Sequence, residues 1–226
     1  MTDLRIAVFG DGEFELGQVG REYSSSEPLP ALPCLVHRLL GSPVRASYVP
    51  RLFRKVRVTH RKLDLGAKAK QAIRQAEREG YQAVVIVIDR DRQKAQEKNV
   101  PLARARDAMA ESGFPPCAVG VAVETFDAWM IVDGRAVQDA GGDGANCHGS
   151  PEGLAGKEGT GHHPKDWAAR LLGGHGGLGA KYAIIASKVD LNLLEKRCPD
   201  GFADFAQDTR KKIGRASCRE RVCSTV

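Results

Sequence analysis

From Leu4 to Phe9 the chain reads LRIAVF, a short apolar run that ends at Gly10, Asp11 and Gly12, which predicts a buried strand closing in a tight turn. Tyr81 to Ile88 (YQAVVIVI) is a continuous β-branched run of the kind covered on both faces in a parallel sheet, and Cys117 to Val123 (CAVGVAV) predicts another buried strand. Helical spacing fills the intervals. Ala69, Ala72, Ile73 and Ala76 recur three and four apart within Ala67 to Glu79, with Gly80 as a stop, and Leu102 to Ser112 predicts a second amphipathic helix before the turn Gly113 to Pro116. Ser24 to Pro33, with three serines and three prolines, predicts a loop, and Leu35 to Leu40 a short helix. Val56 and Val58 alternate against Arg57 as in a half-buried strand, and Phe126 to Val132 reads as helical. Strands and helices that alternate in this way predict an open, mainly parallel α/β sheet with flanking helices.

The second half has a different texture. Gly141 to His163 holds eight glycines and little apolar content, so residues 136–165 are expected to form a mobile loop or insertion on the α/β domain of residues 1–135. Asp166 to Leu172, Tyr182 to Ala186, Val189 to Arg197 and Phe202 to Lys212 predict short elements, an α-rich C-terminal part at 166–212 packed on the same domain. Ile213 to Val226 (IGRASCRERVCSTV) has no apolar period and resembles a translated sequencing adapter, so residues 213–226 are expected to be disordered, with the natural chain continuing differently beyond Lys212.

Length and composition narrow the classes. With 226 residues and a 42% hydrophobic share the chain buries a real core, which excludes a disordered tail or a fibre. The longest apolar run, Ala83 to Ile88, is far below a membrane span, and the N-terminus lacks a basic-then-apolar leader; the expectation is a soluble, cytoplasmic protein. Six cysteines without a CxxC pair argue against a disulfide scaffold or structural zinc, and the spacing of His148, His162, His163 and His175 fits no zinc finger. Leaving out Arg215, Arg219, Arg221 and Glu220 lowers the net charge from +6 to +4, only mildly basic.

Candidate chemistry lies where the predicted strands end. Asp11 with Glu13 and Glu15, Asp89 with Asp91, and Glu124 with Asp127 all follow strands, and ligands of open α/β sheets bind at that edge. Two carboxylates about 4 Å apart repel by roughly 4 kcal/mol at an effective dielectric near 20, a cost that a divalent cation removes. Hard oxygen donors without nearby Cys or His point to Mg²⁺ or Mn²⁺. The other reading of each acid is a helix cap. Arg90 and Arg92 alternate with Asp89 and Asp91, and Arg45 to Lys62 carries seven basic residues and no acid. Arg51, Arg54, Lys55, Arg57, Arg61 and Lys62 would form either a track for a nucleic-acid backbone or a solvated face. Lys165 is a further candidate for a phosphate, or a surface lysine.

Acid-Gly after the first strand, then VVIVIDRD, then AVETFDAWMIVD, resembles the TOPRIM domain of topoisomerases, primases and certain nucleases, and more closely the TOPRIM-like bacterial proteins of domain-of-unknown-function family 4276. Pro151-Glu152, His163-Pro164-Lys165 and Lys181 to Phe205 extend the resemblance to about Lys211. It implies a TOPRIM/Rossmann-like sheet, with Asp89, Asp91 and Asp127 as metal ligands and an acid among Asp11, Glu13 and Glu15, with Glu124, in catalysis. Arg90, Arg92, Arg54, Arg57 and Lys165 would meet phosphate. Asp11 stands where the family has Glu, one methylene longer. The implied activity is metal-dependent phosphodiester hydrolysis of DNA or RNA, in anti-phage defence beside an ATPase partner. The rival expectation is a non-catalytic module that binds nucleic acid or that ATPase.

Overall fold

The computed structural model describes residues 3–41, 44–58, 64–91, 95–154 and 156–214. Five strands, β1 (Leu4–Gly10), β2 (Tyr23–Ser24), β3 (Ala46–Leu52), β4 (Ala83–Asp89) and β5 (Cys117–Ala122), form one sheet in the order β2-β3-β1-β4-β5. All pairs are parallel except the short β2, which runs antiparallel to β3. The architecture is therefore an α/β fold with a mostly parallel sheet, compatible with a Rossmann-like arrangement.

Alternation along the strands divides the interior into two layers. Ile6 and Val8 of β1 join Val85 and Val87 of β4 in one core, while Ala7 and Phe9 join Val84, Ile86 and Ile88 in the other. The second core is closed by α3 (Leu65–Arg78) through Ala69, Ala72, Ile73 and Ala76, and by α4 (Ala95–Glu111) through Leu102, Ala105 and Met109. Asp64 caps α3 by accepting from the Gly66 and Ala67 amides, which supplies partners to amides the first turn leaves open. The first core is larger. It holds α1 (Glu13–Leu16) through Leu16, α2 (Ala31–Leu40), α5 (Asp127–Met130), α6 (Gly134–Asp139), α7 (Pro164–Leu171), α8 (Leu178–Lys188), α9 (Leu191–Arg197) and α10 (Asp204–Thr209).

Several expectations are corrected. The helix expected at Leu35–Leu40 begins at Ala31, because a proline in the first turn gives up only an amide that has no intrahelical partner, so Pro33 does not delay it. The strand of the basic segment is Ala46–Leu52, not the Val56 and Val58 alternation; Phe53–Lys55 is a 3-10 turn, and Val56 is buried because it packs under α3. The helix expected from Leu102 starts at Ala95, with Pro101 inside it. Within the glycine-rich 136–165 stretch, Val137 lies in α6, short 3-10 turns occupy Gly144–Asn146 and Pro151–Gly153, and Pro151 and Leu154 are buried. Ile213 is also fully buried in the first core, which carries the packed chain past the boundary expected at 213; residues 215–226, with Cys218 and Cys223, lie outside the described residues. Among the described residues no helix is long and apolar enough to cross a membrane.

Candidate active site at the switch point of the sheet

β1 is flanked by β3 on one side and β4 on the other, so the chain reverses its direction of winding between β1 and β4. Crevices at the carboxyl ends of such neighbouring strands bind ligands in α/β folds. Asp11 follows β1 there and Asp89 ends β4, and Asp11 Oδ2 accepts the Asp89 backbone N–H at 2.9 Å.

Glu15 reaches the same place by folding back along the four-residue α1. Its Oε1 accepts the Gly12 N–H at 2.5 Å. A Cβ at Gly12 would lie 2.6 Å from Glu15 Oε2 and would push that carboxylate aside; a Cβ at Gly10 would lie 3.2 Å from its Oε1. The two glycines around Asp11 thus make room for a second carboxylate. From the third strand end, Asp127 starts α5 and accepts a hydrogen bond from the buried phenol of Tyr182 on α8. Asp89 Oδ1 accepts the Phe126 N–H at 2.8 Å, which ties the ends of β4 and β5 together.

Burial first, and then neighbouring charge, raises three of these acids. Burial pushes Asp89 well above the usual carboxylate range, and the charges of Glu15, Asp11 and Asp127 add to it. Glu15 is pushed up to about 7, first by burial and then by Asp127 and Asp11. Burial also raises Asp11, against the Asp89 amide and the charges of Lys98 and Lys68. Asp11, Glu15, Asp89 and Asp127 therefore form one electrostatically coupled group of acids, as mutually repelling carboxylates in a poorly solvated site must.

The remaining candidates are distributed differently. Glu13 points to solvent and faces Arg54 at 3.5 Å, because residues two apart on a helix, as Glu13 and Glu15 are, do not share a face. Glu124 is buried against Arg90, Oε1 to Nη2 at 3.4 Å, rather than among the other acids. Asp91 sits at the rim, its side chain 63% exposed, paired with Lys98 at 3.1 Å. Asp91 and Glu124 both adopt left-handed backbone, φ 49° and 60°, and the Asp91 N–H donates to the Glu124 carbonyl at 3.1 Å. Such backbone costs about 1–3 kcal/mol in a non-glycine residue and clusters at functional sites.

Of the proposed phosphate ligands, Lys165 at the start of α7 lies within the field of the acids: burial alone would lower its ammonium, but Glu158, Asp127 and Asp89 together raise it. Arg90 is engaged by Glu124, and Arg54 and Arg57 are exposed beyond β3. Arg51 is held by Glu79 and Tyr81. Arg92, Arg61 and Lys62 lie outside the described residues. Three groups at the site escaped the sequence reading: Lys98 on α4, Lys68 on α3 and Tyr182 on α8. Lys68 and Tyr182 are brought there by segments read as elements whose docking is not legible, whereas Lys98 lies in the first turn of α4, ahead of the helix expected from Leu102.

The donor set is all hard oxygen, which suits a divalent ion such as Mg²⁺, and that ion commonly takes only one or two protein carboxylates with water completing its shell. Among the described residues no three Asp, Glu, His or Cys side chains stand close enough to close around one ion by themselves. Each of the four acids instead has one oxygen held by a fixed donor, which orients it. No family model, curated protein or solved structure matches this chain.

Proposed function

We propose that the chain is a TOPRIM-like, Mg²⁺- or Mn²⁺-dependent phosphodiesterase acting on DNA or RNA. The observation that carries this reading is the gathering of Asp11, Glu15, Asp89 and Asp127 at the switch point, where burial first and then the neighbouring charges raise Glu15 and Asp89. Asp89, with either Asp127 or the rim residue Asp91 as the second carboxylate and water completing the shell, would hold the ion, and the ion when bound would polarise a phosphate and neutralise charge on the departing oxygen. Glu15 suits proton transfer at neutral pH, since a group with a pKa near 7 is populated in both forms there. Asp11 orients the Asp89 backbone through its amide. Lys165 and the exposed Arg54 and Arg57 supply positive charge for the flanking phosphates.

The test is nicking of supercoiled plasmid and of labelled single-stranded RNA with Mg²⁺ or Mn²⁺. Cleavage is expected to fall at least about 100-fold in Asp89→Asn, which keeps the shape but removes the charge. Cleavage at the wild-type rate in that variant would overturn the assignment. A second reading, a non-catalytic module binding nucleic acid or a partner ATPase, is favoured by Asp11 in the place of a longer Glu and by the lack of a three-ligand group among the described residues. It predicts salt-sensitive binding with intact products under either metal.

A further inference from the structure

Lys98 lies one turn into α4, and its side chain is only 12% exposed although lysine ammonium groups are strongly hydrated. Its Nζ donates to the backbone carbonyl of Asp89 and to Asp91 Oδ2 at 3.1 Å, and its charge is felt at Asp11. One cation thus touches both ends of the Asp89–Asp91 turn. Asp91 is meanwhile fixed in left-handed backbone, with its amide on the Glu124 carbonyl. The lysine's four-carbon stem gives up rotamer freedom to stay folded in, so the contacts at its tip must hold it.

Resting on the metal-dependent reading above, we propose that the Lys98 ammonium is a resident cation of this edge, which a divalent ion must displace from Asp91, so that Lys98 sets the ion concentration at which the site loads. A lysine that merely stapled the turn would predict the opposite response to its removal. Without a staple the turn loosens and the ion binds more weakly; without a competing charge the carboxylates are left to the ion, which binds more tightly.

The experiment is calorimetric titration of the full chain with Mn²⁺, for wild type, Lys98→Met, Lys98→Arg, Asp91→Asn and the double variant Lys98→Met with Asp91→Asn. Methionine keeps most of the stem's bulk, and Lys98→Gln replaces it if the melting curve shows a packing defect. Removal of the charge is expected to tighten Mn²⁺ binding about tenfold, while Lys98→Arg stays within about threefold of wild type. The gain should shrink when Asp91 is already Asn, because the competition runs through that carboxylate. If wild type takes up the ion and Lys98→Met binds it equally or more weakly, this inference alone is overturned. If wild type takes up no ion, the phosphodiesterase reading falls and this inference falls with it.

Discussion

Glu15 is a carboxylic acid kept in a place where its charged form is disfavoured by burial and by two neighbouring anions, and this has a thermodynamic consequence that needs no substrate. Its pKa rises from 4.5 when exposed to about 7 in the folded protein. Between those values the native state holds a proton that the unfolded chain has released, so stability falls as pH rises through that window. Below about 4.5 the cost is absent, and above about 7 it is complete, at roughly 3 kcal/mol. Asp89, raised by the same neighbours, adds to the slope in the same direction. We therefore expect the melting temperature of the metal-free protein to decrease from pH 5 to pH 8, and Glu15→Gln to flatten that decrease and melt higher than wild type at pH 8. Scanning fluorimetry in buffers free of divalent ions reads both; parallel curves for the two proteins would show that Glu15 does not titrate as described.

At the scale of elements, the site depends on how the C-terminal helices dock against the free edge of β5. Asp208 of α10 accepts the Val119 N–H at 2.8 Å and an Arg106 N–H from α4 at 2.7 Å, so one carboxylate joins the sheet edge to both helices. This covers part of an edge that would otherwise invite another strand. Beside it Phe205 lies flat on Trp129, ring centroids 5.7 Å apart, and presses on the backbone at Gly120, where a Cβ would approach the Phe205 side chain to 2.8 Å. Both rings are fully buried. Gly120→Ala is expected to cost about 1–3 kcal/mol by overpacking, seen as a lower urea midpoint with an unchanged slope. An unchanged midpoint would mean that α10 shifts freely, and the docking described here would be too loose to hold its neighbours. Gly120 was legible only as a small residue in an apolar strand; nothing within CAVGVAV says that an aromatic ring from residue 205 comes to rest there.

For the whole molecule, the helical part was expected to pack on the α/β domain, and the two share one buried core. Ile6, Val8 and Val85 of the sheet belong to the same buried cluster as Tyr182, Ile185, Phe202, Phe205 and Ile213. Trp129 carries the link, touching Phe126, Phe202 and Phe205. Urea unfolding followed by far-UV circular dichroism and by tryptophan fluorescence should therefore give coincident, single transitions. A chain ending at Leu172 would uncover the part of the sheet's face over β5, with Trp129 and Gly120 left without Phe202 and Phe205, and is expected not to fold. Separate transitions, or a stable truncated form, would show that the helices and the sheet are separable units.

Local pattern determined the strands at Leu4, Ala83 and Cys117, the helix after Asp64, and the fact that acids follow three strand ends, because periodicity and turn chemistry act over a few residues and are written in their order. It also placed Asp11, Glu15, Asp89 and Asp127 among the candidates. It could not separate them from Glu13 and Glu124, since the direction of a side chain leaving a one-turn helix or a left-handed residue depends on what packs around it. Only tertiary structure decided that Lys98, Lys68, Lys165 and Tyr182 converge on the acids, because such convergence is set by how amphipathic helices settle on a twisted sheet. Burial then did what composition cannot record: it raised the carboxyls of Asp11, Glu15 and Asp89 above their ordinary range.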